Sequence, residues 1–574
     1  MVEVEQDENV GEKAIEKSIS QNRQDRQNRV RRVSLYRLRQ LGVDSIHGVP
    51  GDYNLELLDY VQPAGLRWVG NANELNAAYA ADAYSRIKGI GAVITTFGVG
   101  ELSAVNAIPG AYTEFAPVVH IVGIPSRASQ ENRLLVHHTF NDGEYRRFAA
   151  IHAHVTVAQA CLNDPRTSAE QIDAALSQCL LYSRPVYIED AKRLQSPIIV
   201  PDGEPDEAQD EVLRKIFNRI YHARQLVIIV DGESRPIGIQ ESVQWPTWTT
   251  PFGKGLTDET LHNLHGIYRG SFDDPNTRTF IKESDLVLSS NSYSYSTVPK
   301  SDAAILFTTK GVRVGSQLYR DVSSKYIMSR VANDLDLTCV LSYDPYPHLP
   351  QDTLARIPEK LLDEPLTHDR LWRILANFVR PGDIVLGETG TAGYGVREMP
   401  LPPHTRVFTP VTWLSVGYML PGAQGAALAQ DELIKSSNYF GLSSAKTILF
   451  IGDGSFQMTA QEIATMIRHK LNITIFLINN DGYTIERAIH GRKQDYNNVS
   501  PWRYLKAPEF FGAKESTYTG SARTWRELRD VLGHEGLNQD KELRMVEIFV
   551  EREDCPKGPL SHFLETQKKQ EVLD

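Results

Sequence analysis

The sequence predicts an α/β protein built from three open-sheet α/β domains, and three observations carry that expectation. Apolar runs short enough for buried strands recur along the chain and end in glycine or a turn: "AVITTFGVG", "PVVHIVGIP", "DIVLGETGT", "TILFIGDGS" and "ITIFLINND". Strands covered by helices on both faces read as near-continuous apolar runs of this kind rather than as alternating patterns. In "KTILFIGDGSFQMTAQEIATMIRHKLNITIFLINNDG" two such runs flank a helical pattern, with Ile463, Met466 and Ile467 at helical spacing between Thr459 and Lys470. That is strand, helix, strand, a crossover that makes the two strands parallel. Finally, 574 residues exceed what one hydrophobic core supports, so roughly two to four domains are expected.

In chain order, residues 1–29 read as a disordered polar tail. A start rich in Glu gives way to "QNRQDRQNRVRR", and the acidic residues argue against a mitochondrial transit peptide. Residues 30–195 hold the first two apolar runs. The stretch "SPIIVPDGEPDEAQDE", Ser196 to Glu211, sets prolines among acidic residues and is expected to be a linker. A central block, 210–345, contains "QLVIIVDGE" and "DLVLSSNS" as strands of its own sheet, and a second break lies near "YDPYPHLPQD", residues 343–352. Residues 360–565 repeat the punctuation of the first block, a weak sign of duplication.

Composition narrows the function. The apolar share of 41% and charged share of 23% are those of an ordinary soluble globular protein. A net charge of −11 gives no footing for nucleic acid, so partners are expected to be small molecules and other subunits. Cys161, Cys179, Cys339 and Cys555 are far apart with no C-x-x-C, which indicates neither a disulfide framework nor a zinc site and fits a reducing, cytoplasmic location. No apolar stretch has the length of a membrane span, and the amino terminus lacks the apolar core of a secretory signal.

The segment "LINNDGYTIE", residues 477–486, is an ordinary turn when taken alone, because Asn, Asp and Gly tolerate left-handed backbone and bond their own main chain. Its place in the crossover changes the reading. Parallel strands joined by a helix bring their carboxyl ends to one edge, where ligands of open α/β sheets bind, so Asp453 and Asn480 become neighbours. With the Gly482 carbonyl they form an all-oxygen set suited to Mg²⁺, which keeps water and bridges to phosphates. Glycines that let the backbone approach, and the helix start after Gly454, favour an anion there. A metal-bridged diphosphate is therefore expected. No G-x-x-x-x-G-K-[ST] lies nearby, and no G-x-G-x-x-G follows a strand with a suitable acid downstream, which argues against P-loop and nicotinamide enzymes.

"GDG" followed by "NN" resembles the thiamine diphosphate (ThDP) binding motif, and "DGYTIE" narrows the likeness to the ThDP-dependent 2-oxo acid decarboxylases, with the fungal pyruvate decarboxylases nearest. The resemblance runs from about residue 33 to about residue 563. It implies pyrimidine-binding, central and diphosphate-binding domains. ThDP and Mg²⁺ would be held between the first domain of one subunit and the third of another, hence at least a homodimer, with a homotetramer expected, and neither nucleic acid nor membrane as partner.

By the same resemblance, Glu74 in "NANELNAAYAADAYSR" is the carboxyl that activates the cofactor's aminopyrimidine. An alanine-rich helical setting would help such a carboxyl keep its proton. Asp52 in "HGVPGDYNL", His137 and His138 in "LLVHHTF" and Glu486 complete the catalytic set. Carboxyls and imidazoles converging in a dry cleft perturb one another's titration, so a proton can be lent near neutral pH. Thr389 and Thr391 in "GETGT" fall near the bound intermediate and the diphosphate; Asp453, Gly454, Ser455, Asn480 and Ile485 fall on the diphosphate side. Val416 in "WLSVG" takes the place of the aliphatic wedge that bends the cofactor, and Leu414 offers a carbonyl to its amino group.

The implied reaction is loss of CO₂ from a 2-oxo acid through a cofactor-bound enamine, foremost pyruvate to acetaldehyde. A phenylpyruvate or indolepyruvate decarboxylase is the runner-up, followed by a weakly active paralogue serving as a subunit or assembly partner. Three departures bear on this. Leu414 stands where the family has glycine, and a positive φ would cost it about 1 to 2 kcal/mol. "DLVLSSNSYSYST" is shorter than its counterpart and lacks the phenylalanine-bearing pocket segment. The cysteine linked to substrate activation in yeast-type enzymes has no match in "IIVDGESRP".

Overall fold

A computed structural model describes residues 34–162, 164, 166–189, 207–234, 245–290, 301–341, 349–540 and 542–573. The polar tail, most of the Ser196–Glu211 stretch, residues 343–348 of the break at 343–352 and residues 291–297 of the shortened pocket segment lie outside the described residues. The chain forms two compact units. Met1–Tyr112 with Ala116–Val200 carries one sheet, and Thr113–Phe115 with Pro201–Asp574 carries two.

The first sheet contains β1 (Ser45–Gly48), β2 (Arg67–Trp68), β3 (Gly91–Thr96), β4 (Val118–Gly123), β5 (Ala158–Cys161) and β6 (Val186–Glu189). They run parallel in the order β2-β1-β3-β4-β6-β5. The second contains β7 (Leu226–Val230), β8 (Thr247–Thr249), β9 (Leu264–Ile267), β10 (Leu286–Ser289), β11 (Ala304–Thr308), β12 (Gly311–Val314) and β13 (Gln317–Tyr319). Here β12 and β13 add an antiparallel edge to a parallel sheet ordered β13-β12-β11-β10-β7-β8-β9.

The third contains β14 (Ile384–Gly387), β15 (Arg406–Phe408), β16 (Thr447–Gly452), β17 (Ile473–Asn479), β18 (Thr519–Ala522) and β19 (Leu543–Phe549), all parallel. Its order, β15-β14-β16-β17-β19-β18, repeats that of the first sheet strand for strand. The shared punctuation of the two blocks thus reflects one topology used twice.

Each apolar run named above became a strand. The run from Thr447 to Ile451 is buried throughout, as is that from Ile473 to Ile478, so burial on both faces is what the lack of alternation encoded. Trp372, Phe450 and Phe476 pack together in the core beside the third sheet. Between β16 and β17 the expected helix is two, Asp453–Thr459 and Glu462–Arg468, with Ile463 and Met466 buried and Ile467 half-buried. The expected linker also needs correcting: its end, Glu207–Glu211, opens a helix that runs to His222. Glu207 and Asp210 lie in the first turn, where acids favour the positive end of a helix, so the charge that read as linker is a helix start.

In both repeated sheets the order reverses beside the first strand, which places a topological switch point at the carboxyl ends of β1 and β3 and of β14 and β16. Ligands of open parallel sheets settle at such points.

Candidate active site

In the first unit β1 runs into Gly51, Asp52 and Tyr53, and β3 into Gly98 and Gly100. Close packing dictates these glycines. A Cβ on Gly98, whose φ is +66°, would lie 2.2 Å from the His138 carbonyl oxygen. Asp52, His137 and His138 come together, but not in the dry cleft expected, because Asp52 and His137 are exposed: the His137 Nε2 contacts Asp52 Oδ2, and His138 Nδ1 lies 3.9 Å from Asp52 Oδ1. The imidazoles meet edge to face at 4.7 Å between centroids, and Tyr53 stacks on His137 at 5.0 Å. Tyr53 donates to the His137 carbonyl at 3.2 Å; burial, reinforced by the Asp52 charge, raises its pKa.

One ligand atom from each of Asp52, His137 and His138 lies within 4.8 Å of the others. Two imidazoles and a carboxylate suit zinc-like ions rather than Mg²⁺, so the oxygen-only site must be sought elsewhere.

Glu74 opens the helix Glu74–Lys88, whose Asn73 side chain caps the Asn76 amide at 2.8 Å. Its neighbours differ from expectation. The buried alanine face of that helix begins at Asn76, whereas Glu74 is half-buried at the open first turn, where a Cβ on Gly100 would come 3.2 Å from its Oε1. The apolar pattern belonged to the helix rather than to its first residue.

Glu101, which the sequence reading passed over, anchors the β3 loop from beneath. Its carboxylate accepts from the Gly98 amide at 2.8 Å and from the Tyr187 hydroxyl at 2.9 Å, with His152 Nε2 3.7 Å away. Burial pushes Glu101 up to about 7 and His152 down to about 4. A raised carboxyl means that the folded chain keeps a proton that the unfolded chain releases. Its stabilising effect is full below the ordinary 4.5 and is lost as pH rises through about 7. Glu101→Gln lacks this dependence, so its deficit in melting temperature against the native chain is expected to shrink from pH 5 to pH 7. A deficit that stays constant would contradict the assignment.

In the second unit the expected residues line the ends of β14, β16 and β17. Thr389 and Thr391 follow β14, with Thr391 opening the helix Thr391–Val396; Asp453, Gly454 and Ser455 follow β16; Asn480, Gly482, Ile485 and Glu486 follow β17. Asp453, 2% exposed, accepts from the amides of Gly454 at 2.8 Å and Gly482 at 3.0 Å. Burial outweighs these donors and raises its carboxyl to about 6. The turn reading of "NNDG" also holds: Asn479 Oδ1 accepts from the Asp481 amide, and Asp481 has φ of +54°. Asn479 makes the turn, while Asn480 and Gly482 face Asp453.

That facing is the most informative feature of the site. The Asn480 side-chain oxygen meets only acceptors, the Gly482 carbonyl at 2.8 Å and Asp453 Oδ1 at 3.2 Å. Exchanging its oxygen and nitrogen would turn both contacts into hydrogen bonds. A cation resolves the same conflict without the exchange, because the amide nitrogen can donate to Thr484 Oγ1, 2.9 Å away, whose own proton goes to the Arg552 carbonyl. Adjacent oxygens around an octahedral Mg²⁺ with bonds near 2.1 Å lie about 3 Å apart, which matches the spacing here. Gly482 has no substitute: its φ is +121°, and a Cβ would lie 2.3 Å from the Asn497 carbonyl.

Leu414 and Val416 lie on the loop before the helix Met419–Lys435, and both are exposed, with Trp413 beside them. Leu414 has φ of +54°, the strained backbone its position implied. Leu414→Gly relieves about 1 to 2 kcal/mol of strain against about 1 kcal/mol of added unfolded-chain entropy, so a slight gain in stability is expected on thermal or urea unfolding. A loss above about 1 kcal/mol would show that the leucine side chain has a packing role.

The five catalytic candidates divide between the units, Asp52, Glu74, His137 and His138 in the first and Glu486, exposed on the helix Thr484–Ile489, in the second. Cys161, Cys179, Cys339 and Cys555 form no disulfide. Among the described residues no helix is long and apolar enough to cross a membrane.

Comparison with known proteins agrees with this layout. The family model for the thiamine pyrophosphate enzyme N-terminal TPP binding domain matches residues 28–144, and that for the C-terminal TPP binding domain matches residues 388–539. Pyruvate decarboxylase of Aspergillus parasiticus is 51% identical over 550 residues, covering 91% of this chain and 94% of that one. Pyruvate decarboxylase isozyme 1 of Saccharomyces cerevisiae is 35% identical, covering 91% and 95%. A ThDP-dependent 4-hydroxybenzoylformate decarboxylase of Rhodococcus jostii RHA1 superposes with a TM-score of 0.71 over 92% of this chain and 99% of that one; at 17% identity this shows the shared fold. The chain therefore belongs to the pyruvate decarboxylase family of thiamine pyrophosphate enzymes.

Proposed function

We propose that the protein converts pyruvate to acetaldehyde and CO₂ with ThDP and Mg²⁺. The observation that carries the cofactor reading is the convergence of the Asp453 carboxylate, the Asn480 side-chain amide and the Gly482 carbonyl at a switch point of the third sheet. These three would hold Mg²⁺ against the diphosphate, with Thr389, Thr391, Gly454, Ser455 and Ile485 around it. The cofactor, when bound, supplies the electron sink that makes loss of CO₂ feasible. With the cofactor bound, Glu74 would hold a proton for its pyrimidine ring, the Leu414 backbone carbonyl would be the acceptor available to its amino group, and Val416 would supply the apolar wedge. Asp52, His137, His138 and Glu486 handle the substrate carboxylate and deliver the proton that completes the aldehyde.

The three sheets correspond on this reading to domains 30–195, 210–345 and 360–565. By the family resemblance the site is shared between subunits and needs at least a homodimer, and a homotetramer is the assembly we propose, in the cytoplasm. Exposed apolar side chains near both half-sites, Val99, Leu135 and Phe140 in one unit and Trp413, Val416 and Ile489 in the other, support burial in an assembly. The relatives' substrate favours pyruvate over the larger phenylpyruvate and indolepyruvate. Turnover of pyruvate should exceed that of phenylpyruvate at least about tenfold, the scale on which a pocket sorts substrates of different size. The reverse ratio would assign the enzyme to aromatic 2-oxo acids, and silence toward both with ThDP bound would mark a weakly active paralogue.

A further inference from the structure

Glu388 lies between the two threonines of "GETGT" and the strand that precedes them, yet the reaction gives it no task. It is fully buried at the end of β14, where its own amide donates to the Phe450 carbonyl of β16 at 2.9 Å. Its two carboxylate oxygens point to different segments. Oε1 accepts from the Thr389 amide at 2.8 Å, and Oε2 accepts from the Met419 amide at 2.8 Å, with the Gly417 backbone as a third donor. Met419 is the first residue of the helix Met419–Lys435, so its amide has no partner within the helix. Gly417, with φ of +90°, also gives its carbonyl to Thr459 Oγ1 at 2.7 Å, and a Cβ there would meet Met458 at 2.6 Å and the Ser455 carbonyl at 3.2 Å.

Among the described residues no charged neighbour contributes to the state of this carboxyl. Burial raises it to about 7 and only the three backbone donors pull it down. A buried carboxylate without a cation is costly, and the three backbone N–H donors are what offset part of that cost here. The task visible here is geometric. A carboxylate can accept on both oxygens at once, whereas a carboxamide offers a single oxygen and sets its NH₂ against the other N–H.

We propose that Glu388 is a positioning residue for cofactor binding: it holds the turn bearing Thr389 and Thr391 against the loop bearing Leu414 and Val416, through one carboxylate oxygen for each. It rests on the cofactor roles assigned to those four residues. It differs from them in that Glu388, buried behind both segments, acts through their backbone. The two segments then form one preset cradle, and ThDP does not have to order them on binding, which is where preorganisation gains affinity.

The test uses the full chain, stripped of cofactor and titrated with ThDP at fixed Mg²⁺. Glu388→Gln, nearly the same shape, is expected to weaken ThDP binding at least tenfold in calorimetry while kcat at saturating ThDP stays within threefold. Glu388→Asp, which keeps the charge but cannot span both segments, should weaken it in the same sense. A lower melting temperature with unchanged ThDP affinity would show a merely structural role and overturn the proposal. Should the variants fail to fold, backbone amide exchange in the unmodified, cofactor-free chain decides. Slow exchange of the Thr389 and Met419 amides is expected, and exchange at the rate of an exposed loop would overturn it. Absence of ThDP binding to the native chain itself would instead overturn the cofactor reading, so the two failures are distinguishable.

Discussion

Asp453→Ala is expected to abolish Mg²⁺-dependent binding of ThDP. The carboxylate is the only charged member of the oxygen cluster, and its removal leaves Asn480 and Gly482 to hold a dication with neutral oxygens alone. It also frees the Gly482 amide, which Asp453 now accepts at 3.0 Å, and so loosens the turn that aims the Gly482 carbonyl. Loss of even an outer partner of a metal site costs roughly 10- to 100-fold in affinity, so loss of the anionic ligand should exceed that range. Calorimetric titration with ThDP, with and without Mg²⁺, checks this. The exposed neighbour Asp481, which pairs with Arg552 at the surface, is the natural control, and Asp481→Asn should bind as the native chain does. Unchanged affinity in Asp453→Ala would mean that the metal site has been misplaced.

Glu74→Gln is expected to leave ThDP bound and to slow decarboxylation by at least about 10²-fold, the lower range for a positioned proton-transfer group. The amide matches the acid in shape, and the Asn73 cap on the Asn76 amide does not involve the Glu74 side chain. The helix start and its approach to Gly100 should therefore survive, and a fall in rate reports proton handling rather than misfolding. Measured at saturating ThDP and Mg²⁺, near-normal kcat would remove Glu74 from its role.

Much of this architecture is legible in the residues because local and global demands agree. The all-apolar runs became strands buried on both faces, and the crossover from β16 to β17 brought Asp453 beside Asn480, as parallel topology requires. Leu414 took the positive φ that a glycine position demands. What the sequence left hidden depends on distant neighbours. Glu388 and Glu101 each look like one acid beside a glycine-rich turn, and their weight comes from donors at Met419 and Tyr187, 31 and 86 positions along the chain. Glu207 and Asp210 read as linker because acidic residues serve solvated linkers and helix starts alike. The apolar neighbours expected for Glu74 proved to belong to the following turns of its helix, because a sequence pattern describes a helix face better than it describes the exposure of its first residue.

The most direct test of the central claim is release of acetaldehyde and CO₂ from pyruvate by the purified chain, stripped with a chelator and then restored with ThDP and Mg²⁺ together or singly. Equimolar acetaldehyde and CO₂, formed without any redox cofactor and only when both ThDP and Mg²⁺ are restored, is the predicted result. Turnover that persists in the stripped protein, or that returns with ThDP in the absence of any divalent ion, would contradict the account built on Asp453, Asn480 and Gly482.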